Sequence, residues 1–104
     1  MVINDIRELL TAPSPADAAL FLERLDSTLT AGYAHALQLE AERWRLERRI
    51  GELAATLVDD KSELDTNELA SLARRLTLAN EDIASLRTLL GSLRDRRSAV
   101  RTAA

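Results

Sequence analysis

Apolar residues recur along this chain at alternating intervals of three and four, and that rhythm leaves few folds open. Leu22, Leu25, Leu29, Gly32, Ala36, Leu39, Arg43, Leu46, Ile50, Leu53 and Leu57 form one unbroken series. Leu69, Leu72, Leu76, Ala79, Ile83, Leu86, Leu90, Leu93, Arg97 and Val100 form a second. A 3-4 alternation keeps one stripe of a helix turned toward a neighbour, so each series reads as the heptad seam of a coiled coil. Arg43 and Arg97 are its only charged members. Composition agrees: Leu and Ala, both helix formers, supply 37 of the 104 residues, while glycine (3) and proline (2) are scarce. A β architecture needs turn residues about every 8–12 positions, and they are missing. The chain reads as all-α.

The few breaks set the organisation. Pro13-Ser14-Pro15 ends a first helix over about residues 3–12. Ser14 then reads as an N-cap, Pro15 as the first helical residue and Asp17 as a first-turn acid of a long helix over about 15–58. The charged stretch from Asp59 to Glu63 has no apolar rhythm, and Asp65 with Glu68 has capping-box spacing. These predict a turn over 59–65 and a last helix over about 66–102. So short a connection favours antiparallel neighbours. Folding about residue 62 sets Leu57 near Leu69, Ile50 near Leu76, Arg43 near Ile83 and Leu29 near Arg97. The expected fold is a single helical domain over residues 1–104, a short N-terminal helix followed by a long antiparallel helical hairpin.

A two-helix rod buries only one stripe per helix, and small domains are already marginal for that reason. A third layer is therefore expected. Tyr33, Leu37, Ala41 and Trp44 line a second face of the long helix, and Phe21, Leu78 and Leu89 are also off the seam. Ile3, Ile6 and Leu10 of the first helix are the candidates to cover part of this surface. A second copy, giving a dimeric helical bundle, is the candidate for the rest. Gly32, at a seam position, suits close backbone approach; Gly51 and Gly91 have no such reading.

The residues that carry enzyme chemistry do not assemble into a pattern. With no cysteine there is no disulfide framework, thiolate metal site or cysteine nucleophile. His35 is the only histidine and has no ligand-spaced companion, so it reads as a solvent-facing or seam-flanking helix residue. Hydroxyls are plentiful, but nothing supplies the base and orienting group that a nucleophile needs. No two glycines lie close enough for a phosphate loop. The longest uncharged run, Ser27 to Leu39, falls short of the roughly 20 residues of a membrane span. The expectation is a soluble cytoplasmic protein that is not an enzyme and has no catalytic, cofactor or metal site.

Charge is unevenly placed. The net charge is −3, yet residues 87–104 hold five arginines against Asp95 alone. Such a tail suits phosphate or an acidic partner, or simply opposes the negative end of a helix dipole. Arg43, Arg45, Arg48 and Arg49 beside Trp44 suit nucleic acid, but Glu40, Glu42, Glu47 and Glu52 interleave with them as a salt-bridged face. The acidic pI of ≈ 5.1 also argues against nucleic acid. Trp44 stands out as an anchor for a partner helix, because tryptophan and arginine dominate interface hot spots.

The run Glu68-Leu-Ala-Ser-Leu-Ala-Arg-Arg-Leu-Thr-Leu-Ala-Asn80, continuing through Ile83, Leu86 and Leu90, resembles the C-terminal helix of the small flagellar type III export chaperones. The Glu/Arg-rich segment from Glu40 to Leu53 is similar to their first half. That resemblance implies long antiparallel helices holding the helical termini of secreted subunits. The chain also resembles helical-hairpin anti-sigma factors that bind a cyclic dinucleotide through a Glu-x3-Ser-x2-Arg-x3-Gln-x3-Asp run. Glu81 and Ser85 match it, but Thr88, Ser92 and Arg96 replace the last three residues, which removes the ligand from what is implied. The function expected is a protein-interaction module, chaperone- or adaptor-like, that binds an amphipathic partner helix. Tyr33, Leu37, Trp44, Leu78 and Leu89 are the expected apolar contacts, with Arg94, Arg97 and Arg101 orienting an acidic partner. The alternatives are a transcriptional regulator and a purely structural coiled-coil assembly protein.

Overall fold

A computed structural model describes residues 1–12, 17–59 and 63–103. Among these, every residue except Met1, Ala12 and Asp17 is helical. Three helices follow one another: α1 (Val2–Thr11), α2 (Ala18–Asp59) and α3 (Glu63–Ala103). Pro13, Ser14, Pro15 and Lys61, which carry part of the punctuation read from the sequence, lie outside the described residues.

The helix ends differ from those expected. α2 starts at Ala18 rather than near residue 15, because Asp17 is itself the capping residue. Its Oδ1 accepts the Leu20 N–H at 3.1 Å, and its carbonyl accepts the Phe21 N–H. A side-chain oxygen at this place satisfies an amide the helix cannot reach, typically worth about 1 kcal/mol. α3 starts at Glu63, three residues before the expected Thr66, so Asp65 lies within the helix rather than capping it.

The seam is physical. Every one of its positions in α2 and α3 is buried or half-buried, including Arg43 and Arg97. Long cationic side chains fit such a stripe by laying their stems along it while the charged head meets a partner. Arg43 meets Glu47 one turn on at 3.7 Å, and Arg97 pairs with Asp26.

The chain divides into two compact units: residues 1–37 with 84–104, and residues 38–83. The first contains α1 and one part of each long helix. Its core is Ile6, Leu9, Phe21, Leu25, Leu29, Ala36, Leu86, Leu90 and Leu93, all buried. The leucine, isoleucine and phenylalanine side chains of this core contribute about 1.5–3 kcal/mol each relative to exposure. α2 and α3 run antiparallel here, since Arg97 meets Asp26 while Leu90 meets Gly32. The register is one seam step away from the expected one: Arg97 sits beside Asp26, not at the level of Leu29. Gly32 gives the reason. A β-carbon there would stand 2.5 Å from the Leu90 Cδ2, so the glycine leaves the hole that Leu90 fills.

α1 turns Ile6 and Leu9 inward, not the expected set of Ile3, Ile6 and Leu10; Ile3 and Leu10 are half-buried at the edges of the stripe. It rests on the flank of the seam formed by the residues just before the first apolar position of each heptad. In this unit those residues are Phe21, Thr28, His35, Leu89 and Arg96, all buried or half-buried.

Among its described residues the second unit holds two helix segments and no third. Its equivalent flanking residues are Glu42, Arg49, Glu68, Arg75 and Asp82, all exposed. Leu53, Leu72 and Ile83 are buried, while Leu39, Leu46, Ile50, Leu57, Leu69, Leu76 and Ala79 are only half-buried. Arg49 bridges the segments, reaching Glu68 at 3.2 Å and Glu52 at 3.7 Å.

Candidate interaction surfaces

The residues expected to meet a partner fall into two groups. In the first unit, Tyr33 (42% exposed) and Leu37 (67%) stand one turn apart on α2. In the second, Trp44 and Leu78 are each 59% exposed. Sequence spacing implied that a first helix or a second copy would cover Trp44. In the chain itself the ring is open, with the Arg48 guanidinium 5.5 Å from its centroid. That stacking, one helical turn apart, is worth about 0.5–1 kcal/mol at an exposed site and shields one face of the indole.

Two of the expected contacts are already occupied. Leu89 is half-buried and lines a surface hollow with Arg7 of α1, Ser85 and Thr88. Arg97 is half-buried and engaged with Asp26. Arg94 and Arg101 are exposed on α3. They form no ion pair or hydrogen bond with the described residues. The arginine-rich end is thus divided in its uses. Arg101 lies in the last turn of α3, where a cation opposes the helix dipole.

Arg96 was not singled out as a structural residue by its sequence position, yet it ties three helices together. Its Nη2 donates to the Ala12 carbonyl at 2.7 Å, just past the end of α1. Its guanidinium also lies 5.7 Å from the centre of the Phe21 ring on α2. The available signal was its place directly before seam residue Arg97, matching the place of Phe21 before Leu22.

In the second unit a groove of ≈ 560 Å³ runs between the two helix segments. Leu39, Leu46, Leu72 and Ala79 contribute seam carbon to it, Leu78 projects beside it, and charged side chains form its rim.

The hydroxyls of Thr30, Thr56, Thr77, Thr88 and Thr102 donate to carbonyls four residues back in their own helices. They are engaged with backbone rather than with a base. Among the described residues no three His, Asp or Glu side chains converge as a metal site would require. None of the described helices is long and apolar enough to cross a membrane. No family model, curated protein or solved structure matches this chain.

Proposed function

We propose that this chain is a non-enzymatic helical interaction module, chaperone- or adaptor-like, that holds an amphipathic helix of a partner protein, and that two copies of it associate. In this reading α2 and α3 make one antiparallel hairpin with coiled-coil packing. The observation that carries it is the exposed Tyr33–Leu37 pair on a unit whose core is already closed by α1. Apolar side chains one turn apart are what a helix laid alongside would use as anchors. Arg94 and Arg101, uncommitted on α3 of the same unit, would select acidic residues at the edge of that helix. Trp44 offers a separate anchor of the type that dominates interface energetics.

The test compares the wild-type chain with Leu37→Asp, an exposed substitution that leaves the core untouched. Both are used to recover partners from the native host. A peptide covering a helix of the recovered protein is then titrated by calorimetry, with Trp44 fluorescence as a second readout. The wild type should bind it, and Leu37→Asp should weaken binding by about tenfold or more, equivalent to about 1.4 kcal/mol. The reading fails if no protein distinguishes the two chains. It also fails if duplex DNA binds instead with the steep salt dependence of phosphate contacts, which would point to the transcriptional alternative.

A further inference from the structure

The groove of the second unit has the chemistry of a self-complementary surface, and we infer that it is the face on which a second copy of this chain packs, about a two-fold axis. This deepens the self-association proposed above and does not depend on capture of a partner helix. Its rim carries Arg49, already held by Glu52 and Glu68, and four further charges: Glu42 and Arg45 from α2, and Arg75 and Asp82 from α3. None of these four forms an ion pair or hydrogen bond with the described residues. By contrast, Arg43, Arg48, Arg49, Glu47, Glu52 and Glu68 in the same unit are all paired. The open rim therefore presents two carboxylates and two guanidiniums around an apolar floor.

A two-fold interface places the same patch on both sides, so each acid of one copy can face a base of the other and the reverse. A surface of one sign would repel itself there; this one does not. The floor supplies the rest. Seam leucines Leu39 and Leu46 are left half-buried, and Leu78 is largely exposed. A second copy brings an identical ridge at Leu78 to fill an identical groove. A single added helix would satisfy the floor but has no reason to match two acids and two bases in this arrangement.

The experiment measures mass in solution by sedimentation equilibrium and light scattering. The wild type is compared with an acid-reversed variant (Glu42→Arg with Asp82→Arg) and a base-reversed variant (Arg45→Glu with Arg75→Glu). All four positions are exposed, and circular dichroism establishes that each variant keeps its helix content. The wild type should be a dimer at tens of micromolar, and each reversed variant alone should dissociate about tenfold or more readily. An equimolar mixture of the two variants should recover a heterodimer. Leu78→Asp should weaken the dimer, whereas Leu37→Asp should not. A monomeric wild type overturns self-association altogether. A dimer that is indifferent to all four rim charges and to Leu78 overturns the groove as its site, and leaves the Leu37 test of partner binding standing by itself.

Discussion

The three glycines lie inside helices, where each costs about 1 kcal/mol relative to alanine, yet they answer to different physics. Gly32 leaves the space that Leu90 occupies, and an added methyl would meet a leucine whose own surroundings are sealed. Overpacking of that kind costs about 1–3 kcal/mol, which more than offsets the propensity gained. At Gly51 and Gly91 a β-carbon would meet nothing within 4 Å. Nothing in the fold explains why either is glycine. The sign of the effect is therefore the prediction. Gly32→Ala should lower the midpoint of thermal unfolding, while Gly51→Ala and Gly91→Ala should each raise stability by about 0.5–1 kcal/mol. An increase at Gly32 would show that Leu90 repacks freely. The sequence made the Gly32 reading legible because a glycine at a seam position interrupts a leucine series. It could not show which residue of the facing helix fills the hole, and the expected pairing of Leu29 with Arg97 missed by one step for that reason.

At the scale of elements, the existence of all three helices was legible and their ends were not. Periodicity extends over many residues and tolerates local ambiguity. A helix start depends on which one of several nearby oxygens captures an amide. Ser14, Asp17, Asp65 and Glu68 all had the chemistry to cap, and Asp17 is seen to do so. Replacing it should be felt at α2 alone: Asp17→Ala is expected to cost about 1 kcal/mol, with Asp17→Ser retaining most of the stability. The seating of α1 was legible as a need for a third layer but not as a geometry, since Arg96 holds it from more than eighty positions away. A charge-assisted hydrogen bond of this kind contributes about 1.5–3 kcal/mol at most, reduced here because the site is only partly buried. Arg96→Ala should therefore release the end of α1, seen as faster amide exchange over Val2–Thr11 with the exchange of the α2 seam amides little changed. Equal loosening of both helices would mean that Arg96 supports the whole unit rather than the docking of α1.

Across the whole molecule, the even rhythm of the seam conceals an uneven distribution of burial. Among the described residues, nine of the buried apolar side chains belong to the unit formed by residues 1–37 with 84–104, and three to the unit formed by 38–83. The sequence hid this because leucines recur equally in both; what differs is the residue beside them. Phe21, Thr28 and Leu89 mark a flank meant to be covered, whereas Glu42, Arg49, Arg75 and Asp82 mark one left to water or to a charged surface. Local stability follows buried apolar contact, so backbone amides in 38–59 and 63–83 should open more readily than those in 18–37 and 84–103. Under native conditions the slowest amides of the second unit should exchange about tenfold or more faster than the slowest of the first. Self-association adds a condition that separates intrinsic looseness from a missing neighbour. If a second copy covers the groove, mass action stabilises the dimer as concentration rises. Exchange in residues 38–83 should then slow as the protein is taken from low micromolar to hundreds of micromolar, while exchange in the α1-capped core stays constant. The base-reversed variant should show no such concentration dependence. Uniform protection across both units at every concentration would mean that burial in the folded monomer does not govern where this chain opens.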